Sequence, residues 1–309
     1  MVNNIQVQNL YVYFPVEQGM VKAVDGISID FVWGQFTAII GESGCGKSVL
    51  GQALLNILPG YVRQKGSILY QGCDILRGGL PDKFYGQEFG IVPQNPGDSL
   101  SSTRKIIKQM QDILDVNGVS DGDNAIKIKW LQFFGLADTS RILEAYPYEL
   151  SGGMQQRVLC AMSCMCQPKW ILADEPTKGL DERVCGVVYE NLQKIKAAAN
   201  CGMVIITHDL KLARDVCDRV AVMYSGQILE AGRDIFERPL HPYTKAFMAS
   251  LPQNGFQPMA GTAPSPSDNL TGCKFAPRCP YASERCLKQT PQMYKAGDTM
   301  VRCFLYAES

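Results

Sequence analysis

Residues 41–48 constrain this chain most, because they read Gly-Glu-Ser-Gly-Cys-Gly-Lys-Ser and match the pattern G-x-x-x-x-G-K-S/T. They follow an apolar run at residues 36–40 and precede apolar residues at helical spacing, so they connect a predicted strand to a predicted helix. Glycines let such a loop turn tightly with its N–H groups pointing inward, and the helix start adds partial positive charge. The stretch therefore predicts a loop that binds nucleotide phosphates.

The last two residues of this loop distinguish it from an ordinary glycine turn before a core helix. We expect Lys47 to reach the β- and γ-phosphates and the Ser48 hydroxyl to bind Mg²⁺. A simple turn needs neither side chain. The loop residues that we expect to contact the nucleotide are Gly41, Glu42, Ser43, Gly44, Cys45, Gly46, Lys47 and Ser48.

The composition excludes several classes of protein. With 309 residues, 46% of them hydrophobic and 19% charged, the chain reads as globular, with room for roughly two domains. Its 30 basic and 30 acidic residues balance, so charge gives no argument for a nucleic-acid partner. No apolar run reaches the roughly 18 residues that span a bilayer, and the first residues lack the features of a signal peptide. We therefore expect a cytosolic chain.

Polar residues follow three further predicted strands. Asp174 and Glu175 stand where an aspartate would hold Mg²⁺ and a glutamate would act as general base on the attacking water. His208 is a candidate to contact the γ-phosphate, although a lone histidine is as often structural. Gln94 is a candidate to bind Mg²⁺ or orient water, whereas a loop glutamine is commonly only solvated.

From about residue 99 to residue 167 the pattern becomes helical, and it includes a second glycine motif in Leu-Ser-Gly-Gly-Met-Gln-Gln-Arg at residues 150–157. Ser151 is a favourable N-cap, and Gly152 and Gly153 leave the first N–H groups of the helix accessible. An ordinary capped helix rarely contains two glycines, since each costs about 1 kcal/mol within a helix. The motif predicts a second anion-binding helix start, which serves either the same nucleotide or one held by another chain.

Taken in their order along the chain, these motifs resemble those of the ATP-binding subunits of ABC transporters, over about residues 5–237. The resemblance implies an α/β fold of the P-loop NTPase type, with a RecA-like core and an antiparallel β subdomain. The ATP-binding core would comprise residues 1–95 and 168–237, and an α-helical signature subdomain would be inserted at residues 96–167. Residues 238–309 would form a cysteine-rich C-terminal extension.

The resemblance also implies a head-to-tail dimer in which ATP lies between the phosphate loop of one subunit and the glycine motif of the other. It gives Gln94 a role in binding Mg²⁺ and in coupling to membrane subunits, and it places Asp181 at the contact between subunits. An aromatic side chain near the end of the first strand would stack on the adenine, with packing on the sheet edge as the alternative. The further residues assigned to the nucleotide are Phe14, Tyr13, Ser151, Gly152, Gly153, Gln155 and Asp174.

The tail is similar to that of ATPases from oligopeptide, dipeptide and nickel importers, in Arg-Pro-Leu-His-Pro-Tyr-Thr at residues 238–244 and Cys-Lys-Phe-Ala-Pro-Arg-Cys-Pro at residues 273–280. This implies a companion ATPase, two transmembrane permease subunits and a solute-binding protein. The chain would lie on the cytoplasmic face of the inner membrane and drive uptake of a peptide or a nickel chelate. The alternative is a soluble ABC ATPase acting on nucleic acid or ribosomes. Such proteins commonly carry two cassettes or a long coiled-coil insertion, and this sequence has neither.

Four of the twelve cysteines crowd into the tail, after a stretch rich in Pro, Gly, Ser and Asn, with 5, 6 and 16 residues between them. A 4Fe–4S cluster takes four thiolates at irregular spacing, and the resemblance favours it. Structural zinc is the alternative, although its usual close cysteine pairs are absent. A reducing compartment disfavours disulfides. The expected ligands are Cys273, Cys279, Cys286 and Cys303.

Overall fold

The computed structural model describes residues 3–17, 19–94, 96–180, 182–198, 201–250, 257–268 and 270–307. The chain divides into two compact units. The first unit comprises Phe31–Phe36 and Gly79–Val216, and the second comprises Val2–Asp30, Thr37–Gly78 and Cys217–Ser309. The predicted division into core, helical subdomain and extension stays a prediction.

The second unit opens with an antiparallel sheet of β1 (Ile5–Val16), β2 (Gly19–Phe31), β4 (Arg63–Tyr70) and β5 (Cys73–Asp74), in the order β2-β1-β4-β5. Apolar and polar residues alternate along β1, which buries Ile5, Val7, Leu10 and Val12 against the core. A bulge after Gln8 shifts its register against β4.

The second unit also holds the strand before the phosphate loop. This strand, β3 (Phe36–Ile40), is buried throughout and pairs in parallel with β9 (Arg219–Tyr224). A tight turn joins β9 to β10 (Gln227–Gly232), and antiparallel pairing continues from β10 to β12 and β11. The remaining elements of this unit are β11 (Tyr294–Ala296), β12 (Thr299–Val301), α1 (Lys47–Leu54), α9 (Pro242–Ala249) and α10 (Glu284–Lys288).

Parallel strands in the order β8-β7-β6 form the sheet of the first unit. They are β6 (Phe89–Val92), β7 (Trp170–Asp174) and β8 (Gly202–Ile206), and each is an apolar run, as expected of strands covered on both faces. The carboxyl ends of parallel strands meet at one edge, so the residues after each strand gather there. The helices are α2 (Pro96–Ser99), α3 (Ile106–Val116), α4 (Ala125–Phe133), α5 (Thr139–Glu144), α6 (Gly152–Cys164), α7 (Glu182–Ala198) and α8 (Leu210–Val216).

The strongest sequence patterns give the observed elements. The strand predicted at residues 36–40 has those bounds, and the stretch predicted to be helical contains α3 to α6. Pairing with β1 carries β4 through the exposed polar residues at its start, Arg63, Gln64 and Lys65. Within the part of the chain that the structure describes, no helix combines the length and apolarity needed to cross a bilayer.

Candidate functional site

The phosphate loop connects β3 to α1 and depends on two of its glycines. Gly41 has φ +152° and Gly46 has φ +103°, conformations that side-chain-bearing residues rarely adopt. A Cβ on Gly41 would lie 2.0 Å from the carbonyl oxygen of Met223, and one on Gly46 would lie 2.0 Å from that of Ala23. The loop can therefore lie against β9 and β2 only with glycine at both positions.

Lys47 places its ammonium group at the centre of this loop. Its Nζ donates hydrogen bonds to the carbonyl oxygens of Gly41 at 2.9 Å and Glu42 at 3.0 Å, and the residue is 8% exposed. Helix α1 begins directly after Gly46, with the Leu50 N–H donating to the Gly46 carbonyl at 3.0 Å. A buried cation and a helix start thus face the same short loop, as anion binding requires.

Residues far away in the chain hold this loop in place. The Glu42 N–H donates to the Tyr243 hydroxyl oxygen at 3.2 Å, and the Gly226 N–H donates to the Cys45 carbonyl at 2.9 Å. The Arg278 guanidinium donates to both carboxylate oxygens of Glu42, at 3.1 and 3.2 Å. Sequence reasoning missed the contacts of Tyr243 and Arg278. The available signal was that Tyr243 and Arg278 both lie in the tail segments, residues 238–244 and 273–280, that are similar to those of importer ATPases.

The two aromatic candidates for adenine stacking belong to the same unit as the loop. The Tyr13 hydroxyl donates to Asp25 at 2.5 Å, and burial together with that contact raises the pKa of Tyr13. Phe14 is half-buried and meets the Tyr61 ring edge-on, with 6.4 Å between ring centroids. Stacking of either ring on adenine stays a prediction.

Glu175 and His208 meet at the carboxyl edge of the parallel strands of the first unit. The Glu175 carboxylate lies 2.7 Å from His208 Nδ1 and accepts the His208 N–H at 3.3 Å and the Thr207 hydroxyl at 3.5 Å. Glu175 also has φ +50°, a strained conformation for a residue with a side chain, and such strain concentrates at functional sites. The structure thus brings together the predicted general base and the predicted histidine, and it adds Thr207.

Strand register places the other acidic and amide candidates at this edge. Asp174 ends β7 opposite Ile206 of β8, and Gln94 follows β6, whose Val92 lies opposite Ala173. Asp174 and Gln94 offer carboxylate and amide oxygens, and the phosphate loop of the other unit offers the Ser48 hydroxyl; each is of the ligand type that Mg²⁺ prefers. The chemistry of the predicted donor set therefore fits a magnesium ion.

The second glycine motif forms the beginning of α6. The Ser151 side chain caps this helix by accepting the Met154 N–H at 3.3 Å, as predicted, and Ser151 and Gly152 are exposed. The Gln155 amide turns back to the carbonyl oxygens of Pro147 at 2.8 Å and Leu150 at 3.1 Å, so it fixes the preceding turn. The predicted contact residue Asp181 lies outside the described residues.

The prediction of a metal centre in the tail is wrong. Cys273, Cys279, Cys286 and Cys303 do line one cavity of about 250 Å³. Nevertheless, the described ranges contain no group of three or more His, Cys, Asp or Glu side chains that could hold a metal ion. Burial raises the pKa of Cys273 to about 11 and raises those of Cys279 and Cys303, so the thiols of the metal-free chain are neutral. Neither a 4Fe–4S cluster nor zinc fits these findings.

Comparison with known protein families identifies the combination of motifs. The family described as "ABC transporter" matches residues 24–178. The chain belongs to this family. A second family, described as "Oligopeptide/dipeptide transporter, C-terminal region", matches residues 230–286 of this ABC protein and so covers much of the tail.

Relatives align with this ABC protein over nearly its whole length. The dipeptide transport ATP-binding protein DppD of Bacillus subtilis is 37% identical over 317 residues, which cover 97% of this chain and 94% of the relative. DppD of Escherichia coli is 34% identical over 307 residues, covering 95% and 94%. The chain is an ABC transporter ATPase, with the phosphate loop and the strand-end acids in the expected order.

Solved structures support the cassette fold. The ATP-binding cassette MJ0796, in a dimeric post-hydrolysis state with ADP and Pi, superposes with a TM-score of 0.66 at 23% identity, covering 74% of this chain and 98% of that one. CbiO1 from Clostridium perfringens, part of the ABC transporter complex CbiONQ, gives a TM-score of 0.61 at 26% identity over 76% and 90%. The predicted P-loop NTPase cassette is confirmed at this level.

Proposed function

We propose that this chain is the ATP-hydrolysing subunit of an importer for dipeptides or oligopeptides. The contact of 2.7 Å between Glu175 and His208, at the end of strands that belong to an ABC cassette, carries the hydrolytic part of the proposal. The names of the relatives carry the substrate class: DppD proteins are named for dipeptides, and AppD of Bacillus subtilis is named for oligopeptides. We therefore favour a peptide over a nickel chelate.

The residues have separate tasks in this proposal. Lys47 and the inward N–H groups of the phosphate loop bind the β- and γ-phosphates. The Glu175 carboxylate accepts a proton from the attacking water, and His208 orients that carboxylate and contacts the γ-phosphate. Mg²⁺, held by oxygens of Ser48, Gln94 and Asp174, would neutralise phosphate charge.

The exposed beginning of α6 supports a two-subunit arrangement. In the proposed dimer, Ser151, Gly152, Gly153 and Gln155 approach the nucleotide bound by a second, homologous subunit, and Asp181 lies at the contact. A helix start with exposed N–H groups suits the phosphate end of such a nucleotide. Phe14 or Tyr13 would stack on the adenine of the nucleotide held by its own chain.

We also propose a division of the chain into domains. Residues 1–95 and 168–237 form the ATP-binding core, residues 96–167 a helical subdomain and residues 238–309 a C-terminal extension.

The remaining partners are proposed from the family. Two transmembrane permeases would hold the ATPase pair at the cytoplasmic face of the inner membrane, and a solute-binding protein would deliver the peptide. Balanced charge, with 30 basic and 30 acidic residues, gives no support to the alternative of a nucleic-acid partner.

Reconstitution tests the transport proposal. The chain is co-expressed with two permease subunits and a companion ATPase of a peptide importer, placed in proteoliposomes and supplied with the solute-binding protein. We expect ATP hydrolysis to rise when that protein is loaded with a dipeptide or oligopeptide, and labelled peptide to accumulate in the lumen. Stimulation by a nickel chelate but not by peptides would refute the substrate class.

Replacement of the proposed base tests the chemistry. Glu175→Gln removes the proton acceptor but keeps the size of the side chain, so kcat for ATP in the complex should fall about 10²- to 10⁴-fold while ATP binding persists. Glu190→Gln, an exposed change on α7, is the matched control and should hydrolyse ATP at the wild-type rate. Full turnover by the Glu175→Gln complex would contradict the assignment.

A further inference from the structure

The tail segment at residues 273–279 reaches the second residue of the phosphate loop. Arg278 Nη1 lies 3.1 Å from Glu42 Oε1 and 3.2 Å from Oε2. The Arg278 side chain is 6% exposed and that of Glu42 is 29% exposed, so solvent screens the pair only in part. No catalytic step proposed above uses this ion pair.

The Arg278 side chain has little freedom to move. Its Nε donates to the Ala260 carbonyl at 3.1 Å, and its Nη1 also contacts the Tyr224 hydroxyl at 3.4 Å. The guanidinium lies over the Tyr224 ring, 5.8 Å from the centroid, at the end of β9. A guanidinium held from three sides fixes the carboxylate that it binds, and Glu42 follows directly after Gly41, where the loop begins.

Glu42 is fixed at its backbone as well. Its N–H donates to Tyr243, and its carbonyl oxygen accepts Lys47 Nζ at 3.0 Å. The Glu42 carboxylate belongs to the loop that receives the phosphate charge. Without a cation to neutralise it, this carboxylate would repel the phosphates. Arg278 supplies that cation from 236 residues further along the chain.

We propose that Arg278 is a positioning residue for ATP binding, which neutralises Glu42 and holds it away from the phosphates, so that the tail sets the affinity of the loop for ATP. The inference rests on the proposed function, in which residues 41–48 bind ATP. It goes beyond that function by giving the C-terminal segment a role in nucleotide binding.

The attachment of the tail does not depend on this pair alone, which makes the proposal testable. Lys274 donates to the Ser225 carbonyl at 2.7 Å and forms an ion pair with Asp25 at 2.8 Å. The Lys22 N–H donates to the Pro266 carbonyl at 2.9 Å. We therefore expect Arg278→Met to leave the tail docked and the chain folded.

The test is a fluorescence titration of the full chain with N-methylanthraniloyl-ATP. Arg278→Met should raise the Kd about tenfold, because the Glu42 carboxylate is left without its cation, and Arg278→Lys should restore most of the affinity. Arg278→Met/Glu42→Gln, which removes both charges, should bind the probe more tightly than Arg278→Met alone and recover most of the lost affinity. In the assembled complex, Arg278→Met should raise KM for ATP about tenfold and leave kcat within about twofold.

The control is Arg285→Met, since Arg285 also belongs to the tail but its guanidinium lies over the Phe304 ring, 4.1 Å from the centroid. It should bind the probe as wild type does. A wild-type Kd for Arg278→Met would overturn the inference, and so would a double variant as weak as the single one, because Arg278 would then bind the nucleotide itself or act only on stability. Wild-type chain that fails to bind the probe would refute the proposed function and this inference together.

Discussion

The two glycine motifs of this chain use glycine in opposite ways. In the phosphate loop, Gly41 and Gly46 have positive φ, and a Cβ on either would meet backbone oxygen at 2.0 Å. At the beginning of α6, Gly152 has open space around the position of a Cβ, and a Cβ on Gly153 would meet the Val184 side chain, at 3.3 Å from Cγ1 and 3.5 Å from Cγ2. The chain's own fold thus requires glycine in the first motif and does not require it in the second.

The difference suggests what the second motif serves. Glycine within a helix costs about 0.5–1 kcal/mol relative to alanine, and the structure of this chain offers no compensation at Gly152. A close approach by something outside the chain would explain its presence. The proposed partner nucleotide is such a group, whereas the glycines of the phosphate loop shape the loop itself.

The largest effect should come from alanine in the phosphate loop. Gly46→Ala places a methyl group on the Ala23 carbonyl at φ +103°, so the free energy of unfolding should fall by more than about 4 kcal/mol. Gly44→Ala is the matched control, because Gly44 has φ +77° but open space, and it should cost about 1–2 kcal/mol. Urea unfolding measures both variants. Equal losses would show that close approach to β2 does not explain Gly46.

Acid should weaken the anchorage of the phosphate loop. His241 is the N-cap residue of α9, the helix that carries Tyr243. The His241 Nδ1 accepts the Tyr243 backbone N–H at 2.9 Å. Burial lowers the pKa of His241 from 6.5 to about 3. The unfolded chain therefore binds this proton near pH 6.5 and the folded chain does not, so stability falls as the pH drops below about 6.5. Between pH 7.5 and pH 5 the loss should be about 2 kcal/mol.

A second buried group opposes this trend, so the measurement needs a variant. The Glu230 carboxylate accepts the backbone N–H of His241 at 2.9 Å, and burial raises the pKa of Glu230. Protonation of Glu230 therefore favours the folded state at low pH. His241→Asn keeps an acceptor at the helix start and removes the titration. Unfolding curves at both pH values should show the larger loss in wild type. Parallel pH profiles for the two proteins would contradict the assignment to His241.

Sequence reasoning predicted the candidate residues whose placement depends on local geometry. Residues 36–48 and 170–175 could be predicted because a strand, a turn and a helix follow one another within a few residues, and strand register then fixes Glu175 beside His208. The Arg278–Glu42 pair could not be predicted in this way, because it joins residues 236 positions apart. The cysteine prediction was wrong for a related reason: spacing along the chain does not determine ligand geometry or the pKa of a buried thiol.

Alanine should have opposite effects on stability in the two glycine motifs: it destabilises the chain in the phosphate loop and slightly stabilises it at the beginning of α6. Gly152→Ala should stabilise the isolated chain by up to about 0.5 kcal/mol, less than in a helix interior because Gly152 is the first residue of α6, and alanine there meets nothing within 4 Å. ATP turnover of the assembled complex should nevertheless fall about tenfold or more, because the added methyl group blocks the close approach of a phosphate to the helix start. Gly186→Ala in the interior of α7, also with open space, should stabilise the chain by about 0.5–1 kcal/mol without the loss of turnover. Wild-type turnover in the Gly152→Ala complex would show that the beginning of α6 meets no nucleotide.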